Sequence, residues 1–187
     1  NRTNYDEDLL TKLKDFDFSN ILINPIETCI CDIIITGNPI YKTDSIRKIN
    51  GWDESIQTAQ DWELHIRMAL NNFKFGFVNE SLLKSRIHQN SLSYNWIKVN
   101  DSCIIVLDKF RNQILNHPQY PTPQIRKKIF YIYYLGAVYG KNNYLKSLKN
   151  WKFEKEYKQY LSGWSKVFYT LFGLKLLVKF KSVFNRK

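Results

Sequence analysis

The sequence predicts an α/β domain over residues 1–93, followed by a basic helical region over residues 94–187. Three observations carry this. Short apolar or β-branched runs at residues 31–36, 74–78 and 82–87 have the length of strands. Between them Trp62, Ile66, Ala69 and Phe73 recur at steps of four, three and four, the spacing of one helix face. Past Tyr94 the pattern is helical and the charge reverses. Residues 1–108 hold 11 Lys and Arg against 15 Asp and Glu, whereas residues 109–187 hold 17 against 2.

A length of 187 residues fits one domain, or one domain with an appendage. With 44% hydrophobic and 16% aromatic residues the chain can bury a real core, which argues against disorder. The net charge of +11 resides in the C-terminal part. It points to a polyanion such as membrane phosphates or nucleic acid, or else to a solvated basic surface. Cys29, Cys31 and Cys103 form no disulfide framework. Cys29-Ile30-Cys31 has the wrong spacing for a zinc knuckle, so buried free thiols are expected. The start, Asn1 to Asp6, is no signal peptide and lacks Met, which suggests a fragment or a trimmed chain. No apolar run reaches about 18 residues, so no membrane-spanning helix is expected.

In chain order, residues 5–15 predict an acidic-capped helix with Leu9, Leu10 and Leu13 on its apolar face. Asn24-Pro25 reads as a turn. Residues 31–36 read as a buried strand, ended by Gly37-Asn38-Pro39. Thr43 or Asp44 caps a short helix over 45–49. Asn50-Gly51 closes it, glycine permitting the left-handed backbone. Trp52-Asp53-Glu54 opens a loop. A helix follows over 60–71, with Asp61 and Glu63 in the first turn, where the helix dipole favours a carboxylate. The later helices are predicted at 97–115, from Pro121 and Pro123 to Gly140, at 143–161 and at 164–184.

Three ordered motifs stand out within residues 37–93: Gly51-Trp52-Asp53-Glu54, then Gln60-Asp61-Trp62 with Arg67 a turn later, then Arg86-Ile87-His88-Gln89-Asn90-Ser91. In type, order and spacing this stretch resembles the acceptor half of family 2, GT-A-type glycosyltransferases. The resemblance covers about a third of the chain and implies a fragment of a Rossmann-like α/β fold. One feature of the family is missing. Its N-terminal half binds the sugar nucleotide and carries an Asp-x-Asp metal motif after an apolar strand. Asp6-Glu7-Asp8 and Asp15-Phe16-Asp17 have similar letters but follow no such strand. The chain is therefore expected to be the C-terminal part of a longer enzyme.

The resemblance implies an inverting transfer of a sugar from a nucleotide-sugar donor to a glycan or lipid-linked acceptor. Such a displacement needs a base for the acceptor hydroxyl and positive charge on the leaving diphosphate. By family position the base is Asp61; the plainer alternative is that Asp61 only caps its helix. His88 is the expected contact to a divalent metal (Mn²⁺ or Mg²⁺) or to the diphosphate, with most metal ligands in the missing half. Its alternative is a structural histidine. Arg86 pairs with a phosphate, or with Asp61 or Glu63. Trp52, Asp53, Glu54 and Gln60 are expected to contact the acceptor, though Asp53 and Glu54 also suit a turn cap. Trp62 lies on the apolar stripe and reads as core.

Residues 164–187 mix Phe and Leu with Lys, the pattern of an interfacial helix on an anionic membrane. The expected location is the cytoplasm, peripheral on the inner face of the membrane if this helix binds it; the alternative is an ordinary packed helix with a frayed basic end. Two rivals stand beside the enzyme. One is a non-catalytic basic helical module on membrane or nucleic acid; against nucleic acid, no recognisable nucleic-acid motif groups the aromatics with the lysines. The other is a scaffold for glycan assembly that lacks a donor site.

Overall fold

A computed structural model describes residues 20–32, 34, 39–78, 80, 82, 95–139, 144–151, 157–161 and 181. Contacts divide the chain into one unit of residues 1–56 and 60–94, and a second of residues 57–59 and 95–187.

The first unit holds helices α1 (Asn20–Ile23), α2 (Pro25–Cys31), α3 (Thr43–Lys48) and α4 (Gln60–Leu70). Asn24-Pro25 is the start of a helix rather than a free turn. The Asn24 side chain accepts the Glu27 N–H at 3.3 Å, and Pro25 occupies a first-turn position where its missing N–H costs nothing. Ile26, Cys29 and Ile30 become the buried face of α2, which packs on α4.

The predicted α/β class is corrected here: among the described residues there are helices and no strand, so no Rossmann-like sheet is present in them. Each predicted strand has its own explanation. Over 31–36, Cys31 is the last residue of α2 and Asp32, with extended backbone, caps its end. Residues 33 and 35–36 lie outside the described residues. Residues 74–78 form neither a helix nor a strand. Of 82–87, only Leu82 is described.

Two asparagines shape the first unit. α3 begins at Thr43, after Lys42, without a side-chain cap. Its end is a Schellman motif: the Asn50 N–H donates to the Arg47 carbonyl at 3.1 Å and the Gly51 N–H to that of Ile46 at 2.9 Å. Asn50 takes the left-handed position at φ 62°, and Gly51 follows at 67°. α4 ends the same way. Asn72, at φ 58°, donates to Ala69, and Phe73 donates to Met68. Phe73 then packs on the cluster of Ile49, Leu64 and Met68, together with Tyr41, Ile46 and Phe75.

α4 is buried along Trp62, Glu63, Leu64, His65, Ile66, Met68 and Ala69. Burial of Glu63 needs a partner, and Arg67 one turn later supplies it. The guanidinium forks onto the carboxylate, with Nε–Oε1 and Nη2–Oε2 both 2.8 Å. It also donates to the Ile49 carbonyl and, at 2.6 Å, to the Gly51 carbonyl. These acceptors sit at the C-terminal end of α3, where helices leave carbonyls unsatisfied.

The second unit is helical, with α5 (Trp96–Asn116), α6 (Pro123–Tyr139), α7 (Tyr144–Lys149) and α8 (Tyr157–Tyr160). Asn95 caps α5 through the Lys98 N–H at 3.2 Å, and Thr122 accepts the Ile125 N–H at 3.3 Å at the start of α6. α5 and α6 pair as a hairpin. Gly136 allows their close approach: a Cβ there would stand 2.6 Å from Ile104 Cδ1 and 2.7 Å from Tyr144 Cδ2. Tyr133 donates to the Asp108 carboxylate at 2.7 Å, and Phe130 gathers Tyr134, Tyr157 and Tyr160 around it. Within this unit Thr58 donates to Ser102 Oγ at 2.7 Å. Of the helix predicted over 143–161, the described residues form two short helices and a turn at Asn150–Trp151 where the Trp151 ring is fully buried, and residues 152–156 lie outside the described residues. The helices predicted over 5–15 and 164–184 lie outside the described residues, apart from Lys181. Among the described residues no helix is long and apolar enough to cross a membrane.

Replacing Arg67 by Met strands the Glu63 charge in the core and should cost about 3–5 kcal/mol. Glu63→Gln in the same chain should recover part of that loss but not the Ile49 and Gly51 contacts. Urea unfolding of the single and double variants measures both. A cost below about 1 kcal/mol for Arg67→Met contradicts the clamp.

Candidate functional site

The site is built around the first two turns of α4 and the turn that Arg67 holds. Asp61 is part-exposed in the first turn, and its Oδ1 accepts the Trp62 N–H at 3.0 Å. A carboxylate is favoured at this end of a helix, where backbone N–H groups lack helical partners. His65 lies four residues on, on the same face. It is 2% exposed, and its Nε2 is 2.6 Å from the Tyr41 hydroxyl. The two rings also stack, with centroids 5.9 Å apart. Tyr41 in turn meets Trp52 edge to face at 5.8 Å, and Trp52 is 42% exposed.

Charge and burial set the state of these groups. Burial lowers the pKa of His65, and the Asp61 carboxylate opposes that more weakly. His65 is therefore a neutral imidazole in the core at neutral pH. Burial, then Asp61, then Cys29 push the Tyr41 phenol up to about 12, so it keeps its proton. Asp61 thus lies within electrostatic reach of both. His65 Nδ1 is buried without a hydrogen-bond partner. Leaving such an atom unsatisfied costs about 1–3 kcal/mol.

The other sequence candidates separate. Asp53 forms a local turn, its Oδ1 accepting the Ser55 N–H at 3.0 Å and the Ser55 hydroxyl at 2.6 Å. Glu54 is exposed on that turn, and Gln60 is half-buried beside Asp61. Trp62 is 4% exposed and belongs to the core. Arg86 and His88 lie outside the described residues. Among the described residues Glu63 is paired with Arg67. Among the described residues no three His, Cys, Asp or Glu side chains gather as a metal site. Cys29, Cys31 and Cys103 form no disulfide among the described residues, and burial raises the pKa of Cys29 to about 12.

Sequence reasoning missed Tyr41 and His65. The four-residue step from Asp61 places His65 on the same helix face, a signal that was available. Tyr41 is 24 residues from His65 and gave no local sign.

The second unit has an open polar cleft lined by Arg111, Asn112, Leu115, Asn116, Lys149 and Asn150. Arg111 is paired there with Asp108 at 3.1 Å. No family model matches the chain, and no curated protein or solved structure matches it either.

The depressed pKa of His65 has a consequence for stability. The unfolded chain binds its proton near the ordinary value of 6.5, whereas the folded chain binds it only at lower pH. Protonation then favours the unfolded state. The stability present above about pH 6.5 should be lost as pH falls below it. Thermal melts of wild type and His65→Gln between pH 7.5 and 5 should converge or cross as the wild type loses its advantage. Parallel curves contradict a buried neutral His65.

Proposed function

We propose that this chain supplies the acceptor side and the base of an inverting glycosyltransferase. The observation that carries the reading is the placement of Asp61. It is a part-exposed carboxylate at a helix N-terminus, electrostatically coupled to Tyr41, which packs on the exposed indole of Trp52. Support also comes from the motifs around Trp52, Asp61 and Arg67, which resemble those of family 2 glycosyltransferases. The reading rests on this site and not on a Rossmann-like sheet.

In the proposed reaction an acceptor hydroxyl beside Trp52 attacks the anomeric carbon of the donor sugar. Its proton moves to an Asp61 carboxylate oxygen as the new C–O bond forms. The bond from the anomeric carbon to the diphosphate breaks, and its electron pair leaves with the nucleoside diphosphate. The donor would be held by groups outside the described residues. The same applies to Mn²⁺ or Mg²⁺, for which His88 is the ligand proposed in this chain.

The acceptor would be a glycan or a lipid-linked saccharide. The lipid-linked case agrees with the 17 basic and 2 acidic residues over 109–187, a charge suited to an anionic membrane surface on the cytoplasmic side. The exposed Trp96 and Tyr139, packed edge to face at 5.0 Å, add aromatic surface to that unit.

The test is turnover of a panel of UDP- and GDP-sugars by the full natural protein carrying this sequence, with Mn²⁺ or Mg²⁺ and with or without anionic vesicles. Asp61→Asn keeps the shape and removes the base. A fall in kcat of about 10²-fold or more is expected. An Asp61→Asn enzyme as active as wild type makes Asp61 a helix cap only. A wild type that consumes no donor removes the enzyme reading.

A further inference from the structure

Trp52, Tyr41 and His65 form a chain of contacts running from solvent into the core. Trp52 is 42% exposed, Tyr41 half-buried and His65 2% exposed. Each link is directional. The Trp52–Tyr41 contact is edge to face, with planes at 86°, and the Tyr41 hydroxyl is fixed on His65 Nε2 at 2.6 Å. His65 is itself immobile, because it sits in the buried centre of α4. A core position served only by packing would be filled more cheaply by leucine, since the buried Nδ1 has no partner. What the imidazole adds is a hydrogen bond that sets the rotation and tilt of Tyr41, and through it the indole. The backbone before Trp52 is fixed independently by the Arg67 contact to the Gly51 carbonyl.

An exposed indole held at a set angle suits the apolar C–H face of a pyranose ring. Aromatic rings supply large, rigid contact area there at small entropic cost. Asp61 lies one helical turn from His65, and its charge reaches Tyr41.

We propose that Tyr41 and His65 are positioning residues for a saccharide ledge at Trp52, which takes a β-configured gluco- or galacto-pyranose of the acceptor and aims its hydroxyl at Asp61. The ledge rests on the glycosyltransferase reading for its role in turnover, but not for sugar binding itself. His65 acts through Tyr41, and Tyr41 acts through Trp52.

The experiment titrates the ¹⁵N-indole-labelled full protein with methyl β-D-glucopyranoside and methyl β-D-galactopyranoside. Spectra are recorded for wild type, Trp52→Ala, Tyr41→Phe, His65→Leu and His65→Gln. Trp52→Ala identifies the Trp52 cross-peak. Tyr41→Phe keeps the ring and removes only the hydroxyl, and thermal melts verify that each variant is folded. At least one glycoside should shift the Trp52 signal in wild type. Tyr41→Phe and His65→Leu should weaken that binding about 3- to 10-fold, the fold-change of one neutral hydrogen bond. His65→Gln, which keeps a polar atom near the Nε2 position, should restore it. In turnover the same variants should raise the acceptor KM and also lower kcat, because the hydroxyl is no longer aimed at Asp61.

In binding, either of two results overturns the ledge: neither glycoside moves the Trp52 signal, or folded Tyr41→Phe and His65→Leu bind as wild type does. Failure of the enzyme reading looks different. Sugar binding that depends on Tyr41, with no turnover of any donor, keeps the ledge as a binding site and removes the transferase. Turnover that needs Asp61 but is indifferent to Trp52 and Tyr41 keeps the transferase and removes the ledge.

Discussion

The fork between Arg67 and Glu63 is the constraint on which the first unit depends. The four-residue spacing within α4 brings the pair together. Burial then makes it obligatory, because Glu63 is fully buried and an unpaired carboxylate there would be prohibitively costly. The remaining guanidinium N–H groups turn a local pair into a tether across the sequence. They reach carbonyls 16 and 18 residues away, at Gly51 and Ile49. A lysine could neutralise Glu63 but lacks the planar fork needed to hold these acceptors at once. Trp52 follows Gly51 directly, so the same tether fixes the start of the turn that carries the exposed indole.

α4 combines two demands that normally conflict. It is the most buried helix of its unit, yet it carries a carboxylate, an ion pair and an imidazole in its first two turns. Packing alone would not choose Glu63 and His65 for core positions. Sequences that break a local rule in this way do so most often at functional sites. The polar groups divide the work spatially. Asp61 remains part-exposed at the helix end, where negative charge is favoured, while His65 is neutral and serves Tyr41. In the proposed reaction, binding of an acceptor and acceptance of its proton fall to neighbouring but separate groups.

Much of this was legible at the level of single helices. The apolar period from Trp62 to Phe73 gave α4, Asn50-Gly51 gave the left-handed end of α3, and His117-Pro118 gave the end of α5. The sheet was misread for a physical reason. Short β-branched runs suit either a buried strand or a buried helix, and only the flanks decide. The strand predicted from Cys31 overlaps only the last residue of α2, a helix that the capping Asn24 and Pro25 at a first-turn position start. The Lys-rich stretch from residue 143 looked continuous because periodicity does not register a turn made by burying one large ring, that of Trp151. Within the site, Asp61 and Trp52 stood out through short motifs. Tyr41 did not, because its meaning lies in contacts with residues that are distant in sequence.

The most direct measurement is a crystal structure of the full natural protein with a nucleoside diphosphate and an acceptor saccharide. The decisive quantity is the distance from the Asp61 carboxylate to the acceptor hydroxyl. The account predicts hydrogen-bond reach, about 2.6–3.2 Å, with the saccharide ring resting on Trp52. A carboxylate turned only to the backbone N–H groups of α4, with the acceptor held elsewhere, would contradict it.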